Sequence, residues 1–101
     1  MSNRLELQEI LETILGSRNV YFQPPPSVQM KYPAIVYELD NIDIRYANNA
    51  AYMLKNRYKV TYITRDPESS LVEELAEIPT CKFTNRYVSD NLYHNVYTLY
   101  Y

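Results

Sequence analysis

The apolar positions at the start of the chain recur at helical spacing. Their stripe, at i, i+3, i+4, i+7 and i+8, consists of Leu7, Ile10, Leu11, Ile14 and Leu15. That period predicts an amphipathic helix. Asn3 stands three residues before Glu6, the relation of a capping box. Gly16 follows the stripe, at the point where a left-handed residue commonly ends a helix.

A different period governs the next segments. The short apolar run Val20–Phe22 stops at three consecutive prolines, which enforce extended backbone and indicate a stiff connector. Residues 34–39 are rich in β-branched and aromatic side chains and predict a strand. Residues 55–65 alternate, with Tyr58, Val60 and Tyr62 on one side, and predict a long second strand.

Between these strands, residues 40–54 break the pattern. The stretch DNIDIRYANNAAYML shows no sustained period. A connection of this length without structure of its own is uncommon in a small domain and is usually functional or mobile. It is interpreted either as a long hairpin tip or as an arm that reaches a neighbouring subunit. It is the main candidate for an interaction element.

The second half of the chain predicts a helix and a hairpin. Asp66 suits an N-cap and Pro67 the first helical position, while Pro79 ends the apolar stripe formed by Leu71, Leu75 and Ile78. Two predicted strands at 80–88 and 92–101 flank the sequence Ser-Asp-Asn, which is typical of a tight hairpin turn. The predicted order is α-β-β-β-α-β-β. We expect one α+β domain, with two helices packed on a largely antiparallel or mixed sheet.

Composition narrows the function classes. The 101 residues carry a net charge of −2, which disfavours strong nonspecific DNA binding. The single Gly excludes Walker A and dinucleotide-binding loops. The single Cys argues against a disulfide-stapled secreted domain, and the charged N-terminal segment does not resemble a signal peptide. Tyr supplies 12 residues, which fits either a protein contact surface or half-buried sheet positions.

Candidate chemistry is sparse. His94 and Cys81 are the only histidine and cysteine and make a weak case for a nucleophilic dyad. Asp40 and Asp43 alone make a poor calcium site. A basic ridge on the second long strand lacks an alternating aromatic platform for nucleic acid; it consists of Lys55, Arg57 and Lys59. We therefore expect no enzyme, no cofactor and no metal.

Charge is sorted by element. Seven of the 12 acidic residues fall on the two predicted helices, and most basic residues on strands and loops. We favour the interpretation that these are solvated faces, because surface charge pairs contribute little. The alternative is head-to-tail packing of subunits in a ring.

Several segments together resemble a known family. They are VYFQPP at 20–25, MKYPAIVY at 30–37, YKVT at 58–61, DPES at 66–69, LAEIP at 75–79, DNLYH at 90–94 and the aromatic end at 97–101. This combination, spanning nearly the whole chain, resembles the small tail-completion, or tail terminator, proteins of long-tailed bacteriophages (siphophages). The shared segments maintain a fold and include no catalytic signature.

The resemblance implies a structural protein of the virion neck, assembled in the host bacterial cytoplasm. Such proteins are α+β subunits that form a hexameric ring on the tail tube protein and stop its polymerisation. The ring presents a surface to the head-side connector, or stopper, protein, and DNA passes through its lumen without being read. A head–tail joining protein of the same neck remains an alternative, as does a small protein-binding domain outside the virion.

The expected contact element in this interpretation is the irregular segment. Rigid aromatic side chains dominate interface energetics, so Tyr46 and Tyr52 are the predicted anchors on an adjacent subunit. The remaining predicted interface residues are Arg45, Asn48, Asn49 and Met53. A second expectation is that the acidic helices lie outside and that a sheet face or strand edge meets the tube.

Overall fold

The computed structural model describes residues 4–25, 27, 29–47 and 50–101, with the backbone alone along 43–47 and 50–55. Its two helices are α1 (Arg4–Leu15) and α2 (Leu71–Ala76). Its strands are β1 (Val20–Phe22), β2 (Ala34–Ala47), β3 (Ala50–Thr64), β4 (Cys81–Ser89) and β5 (Leu92–Tyr100). The element order α-β-β-β-α-β-β is the predicted one.

The five strands form one mixed sheet in the order β1-β2-β3-β5-β4. β1 runs parallel to β2, and every other neighbouring pair is antiparallel. The two helices pack on one face of this sheet through the buried cluster described below. The predicted α+β class is therefore confirmed.

Tyrosine forms much of the core. Tyr37, Tyr58, Tyr62 and Tyr97 are all buried, and they pack with aliphatic residues from both helices and the sheet; the helix members are Leu7, Leu11 and Leu75. The rings of Tyr37 and Tyr58 meet edge-on with centroids 5.9 Å apart, a favourable arrangement for aromatic pairs. These four tyrosines therefore occupy sheet positions under the helices and do not form a contact surface.

Buried phenols need hydrogen-bond partners, and the helical side of the domain supplies them. The Tyr37 hydroxyl donates to the Gln8 side chain on α1. The Tyr62 hydroxyl lies 2.8 Å from the Ser69 hydroxyl, just before α2. The sheet is thus joined to both helical regions by polar contacts as well as by apolar packing.

The end of α1 follows the sequence prediction. Gly16 has φ +73°, the left-handed conformation, and its N–H donates to the Glu12 carbonyl at 2.9 Å. The predicted cap Asn3 lies outside the described residues.

The start of α2 differs from the prediction. Asp66 does not cap it, and the helix begins at Leu71. The Asp66 carboxylate instead accepts the Glu68 N–H at 2.9 Å, which closes a local turn of the kind that competes with helix initiation. Leu75 is buried, as the apolar stripe predicted, but the helix ends at Ala76.

The expected unstructured connection at 40–54 is wrong. β2 continues to Ala47 and β3 starts at Ala50, so the predicted strands at 34–39 and 55–65 are the inner halves of two much longer ones. Of the two interpretations of this segment, the long hairpin agrees with the observed backbone.

The last hairpin is confirmed, with its strand bounds shifted by a residue. Ser89 pairs with Leu92, which leaves Asp90 and Asn91 as a two-residue turn. Their φ values are 53° and 62°, and this pair of positive angles is typical of the turn that matches the twist of a hairpin.

Candidate protein interface

A two-stranded arm projects from the sheet. The register of β3 with β5 ends at Arg57, and β1 covers β2 only as far as Tyr37. Beyond this point β2 and β3 pair only with each other, up to Ala47 opposite Ala50. We call residues 40–56 the arm. Its six residue steps along β2, from 41 to 47, correspond to about 20 Å at the usual rise, and the molecule measures 51 × 26 × 23 Å.

Two irregularities shape the arm. The register shifts between Leu39 and Asn41 and again between Arg45 and Tyr46. An extra residue on one strand of an antiparallel pair bends the ribbon and increases its twist. The base of the arm and the region near its tip are therefore the two places where the ribbon is favoured to bend.

An ion pair holds the base of the arm. The Arg57 Nε donates to the Asp40 carboxylate at 3.1 Å. The two side chains are 33% and 42% exposed, so solvent screens the pair and its contribution is small.

Apolar surface continues from the core onto the arm. The register places Leu39 opposite Tyr58 and Ile42 opposite Asn56, so both lie on the face that the helices cover further down the sheet. Leu39 is 40% exposed and Ile42 is 44% exposed. An isolated two-stranded ribbon is at best marginally stable in water. A ribbon with an uncovered apolar face is therefore suited to bind a partner.

The predicted interface residues fall on the outer half of this arm. The backbone register pairs Arg45 with Met53 and Tyr46 with Ala51. Tyr52 is the extra residue of β3 at the second register shift and has no register partner on β2. Asn48 and Asn49 lie outside the described residues.

The sequence did not single out a second exposed surface, the edge strand β4. It is the last strand in the sheet order, and its residues are exposed from Lys82 to Ser89. Phe83, on the face covered by the helices, is 42% exposed, and Val88 is 60% exposed. A long exposed edge with apolar residues is a template for adding another strand. The alternating pattern predicted β4 as a strand, but a sequence pattern does not say which strand of a sheet is outermost.

The structure separates the two residues of the weak nucleophilic dyad. Cys81 pairs with Leu99 and packs against the core under the helices. His94 pairs with Ile63 and Tyr87, on the opposite face. Burial raises the pKa of the Cys81 thiol to about 11, so the thiolate needed for nucleophilic attack is scarce at neutral pH.

On the face opposite the helices, His94 packs against an aromatic neighbour. Its ring stacks on that of Tyr87 with centroids 4.6 Å apart and planes 10° apart, and its Nδ1 lies 3.1 Å from the Leu92 carbonyl. Throughout the described part of the chain, no group of three His, Cys, Asp or Glu side chains is placed to hold a metal ion.

The basic ridge is partly neutralised. Arg57 is paired with Asp40, and Lys59 stands in register between Glu38 and Thr98. For Lys55 the backbone alone is described, opposite Asp43. Acidic residues of β2 thus accompany the ridge along the ribbon, which weakens its attraction for phosphates.

Comparisons with known proteins identify no relative of this chain. No family model matches the chain, and no curated protein or solved structure is significantly similar to it. Neither of the helices among the described residues is long and apolar enough to cross a membrane.

Proposed function

We propose that this chain is a structural subunit of the neck of a long-tailed bacteriophage, acting as a tail terminator. In this function, copies of the chain form a ring on the end of the tail tube, stop its polymerisation and offer the head-side connector a surface. DNA passes through the ring without being read. The proposal is supported by the sequence segments that resemble tail-completion proteins and by one structural observation, the projecting arm.

The arm carries the proposal because it needs a partner. It extends about 20 Å beyond the pairing with the rest of the sheet, and its base exposes Leu39 and Ile42. Subunits that assemble into rings need a surface on each copy that reaches the next copy. An extended ribbon with an apolar face meets this need.

The rest of the described surface offers little to an enzyme. The separation of Cys81 from His94 by the sheet removes the one nucleophilic pair that the sequence suggested. The buried hydroxyls of Tyr62 and Tyr97 bond to Ser69 and to the Val72 carbonyl in the α2 region. These contacts have a structural purpose, which is what a ring subunit requires.

The test is deletion of the coding sequence from the parent phage, followed by negative-stain electron microscopy of the lysate. We expect overlong tail tubes without heads beside filled heads, because tube growth is no longer capped. Complementation with the intact chain restores normal virions and controls for effects on neighbouring genes.

Two other outcomes contradict the terminator function. Tails of normal length beside filled heads assign the chain to a later head–tail joining step in the same neck. Intact virions rule out a neck function and favour a protein-binding domain that acts outside the virion.

A further inference from the structure

Among the free strand edges in the described part of the chain, two differ in charge. One is the outer edge of β4. The other is the outer edge of β2 along the arm. β1 pairs only with residues 35–37, and the Gln23 side chain accepts the Leu39 N–H, so this edge is free beyond Leu39. The charged residues of β4 are Lys82 and Arg86. Those of segment 38–47 are Glu38, Asp40, Asp43 and Arg45.

We propose that the β2 edge of the arm of one copy adds to the β4 edge of a second copy, so that copies join head to tail through a shared sheet. The inference rests on the ring-forming function proposed above and names the two surfaces that would form the ring contact. Strand addition satisfies free backbone groups on both edges at once, and side chains at alternate positions then provide specificity.

The side chains of the two edges match when their faces are aligned. On the face covered by the helices, β4 exposes Phe83 and Val88, and β2 exposes Leu39 and Ile42. On the opposite face, Lys82 stands in register with Thr98, and Glu38 with Lys59. One arrangement therefore brings apolar residues beside apolar residues on one face and Lys82 beside acidic β2 on the other. Arg86 lies on the helix-covered face of β4, where its guanidinium donates to the Pro67 carbonyl.

This match fixes the direction of pairing. β2 and β5 run one way in the sheet, and β3 and β4 the other. When the helix-covered faces of two copies point the same way, the free edge of β4 meets the free edge of β2 only if the two strands are antiparallel. The contact is heterologous, because each copy uses a different edge on each side, and such contacts close into rings or extend into filaments.

Charge disfavours the two symmetric alternatives. Pairing of β4 with a second β4 places two strands side by side that each carry Lys82 and Arg86 and no acidic residue. Pairing of two arms along β2 brings together segments that each carry three acids and one arginine. Like charges placed opposite each other across strands are destabilising.

The test uses two full copies of the chain joined by a long Gly/Ser linker, which raises the effective concentration of each edge for the other. Hydrogen–deuterium exchange is measured on the dilute tandem and on the single chain. Two copies can form one such contact, so one β4 edge and one arm of the tandem stay free. We therefore expect about half of the outward-facing amides of 81–89 and of 40–47 to exchange at least about tenfold more slowly than in the single chain, the slowing produced when the edges are paired for all but about a tenth of the time. Unchanged exchange at both edges overturns the inference.

Two substitutions at exposed positions establish which edges meet. With Ile42→Asp in the first copy and Val88→Asp in the second, the second copy's arm and the first copy's β4 are both intact, so protection should remain. With both substitutions in the same copy, neither pairing survives and protection should disappear. A symmetric β4–β4 contact predicts equal loss in both tandems, and that result contradicts the proposed pairing.

A control variant separates loss of contact from loss of fold. Leu5→Asp places the same charge at a 59% exposed apolar position on α1, outside both edges, and should leave the protection intact. The phage experiment then distinguishes the two proposals. Protected edges with intact virions after deletion support the pairing but not the neck function, whereas uncapped tails with unprotected edges support the neck function but not this pairing.

Discussion

The Tyr97 hydroxyl donates a 2.8 Å hydrogen bond to the backbone carbonyl of Val72, which ties β5 to α2. Tyr97 is fully buried, and its ring also meets Phe83 edge-on with centroids 5.4 Å apart. Burial raises the pKa of its phenol well above the ordinary value. A six-residue helix has little stability of its own, so this bond helps to fix α2 on the sheet.

Tyr97→Phe removes that hydroxyl and keeps the ring. We expect the free energy of unfolding to fall by about 1 kcal/mol, the usual net value of one hydrogen bond. Urea unfolding monitored by circular dichroism measures the change. Tyr87→Phe removes a hydroxyl from an exposed ring and should change stability by less than about 0.5 kcal/mol; equal effects of the two variants would show that the bond to Val72 does not matter.

Gly16 is the position where backbone conformation alone limits the side chain. Its φ is +73°, and a Cβ there meets no atom within 4 Å. Gly16→Ala should therefore cost about 1 kcal/mol of unfolding free energy through strain in the left-handed conformation. Gly16→Asn should cost less, because Asn tolerates this conformation. Denaturant unfolding of both variants checks the order, and an alanine variant as stable as the parent contradicts it.

The tip of the arm carries the predicted anchors of self-association. Replacing Tyr46 and Tyr52 by Ala should weaken ring formation and leave the subunit folded, because both lie beyond the part of β3 that pairs with β5. Sedimentation velocity over a concentration series measures assembly, and circular dichroism measures the fold. Tyr101→Ala, which removes a tyrosine beside Glu6 on α1, is the matched control. Unchanged assembly of the arm variant is evidence against the anchors.

Alkaline pH should destabilise the fold through groups that burial keeps protonated. Burial raises the pKa of the Cys81 thiol from 9.0 to about 11, so between these values the folded chain holds a proton that the unfolded chain has released. The stability that the fold gains from keeping this thiol protonated is complete below pH 9 and is lost as the pH rises through 11. Denaturant unfolding at a series of pH values should show this decline.

Cys81→Ala should make that decline shallower between pH 9 and pH 11. A residual decline is expected in the variant at higher pH, since burial also raises the pKa values of Tyr97 and Tyr37. An identical pH profile in the parent and the variant would falsify the assignment to the thiol.

The sequence correctly predicted the local structure wherever a single hydrophobic period ran through a segment without interruption. The alternation of Tyr58, Val60 and Tyr62 correctly predicted that these side chains share one face of β3, where all three are buried, and the position of Gly16 correctly predicted the end of α1. The hairpin was one of the two interpretations of 40–54, but its strands were not predicted, because one register shift in each strand displaces the alternation by one residue. β2 changes phase at Asp40 and β3 changes phase at Tyr52, so neither strand keeps a period of two through this segment, although each backbone is continuous.

The start of α2 and the edge position of β4 depended on contacts between distant residues. Asp66 has the residue type of an N-cap, but its carboxylate closes a turn onto Glu68, and Ser69, held by Tyr62, accepts the Leu71 N–H at 3.3 Å. The free edge of β4 follows from the order of strands in the sheet. That order is set by long-range pairing, which local patterns do not encode.

The continuity of β3 has a mechanical consequence. The strand runs without a break from the arm into the centre of the sheet, where eight of its residues, from Arg57 to Thr64, are in register with β5. A pull along the arm therefore loads this ladder in shear, with its hydrogen bonds sharing the force, instead of unzipping them one at a time. A subunit held by its arm would resist tension along that direction far better than a pull that peels β4 from the edge.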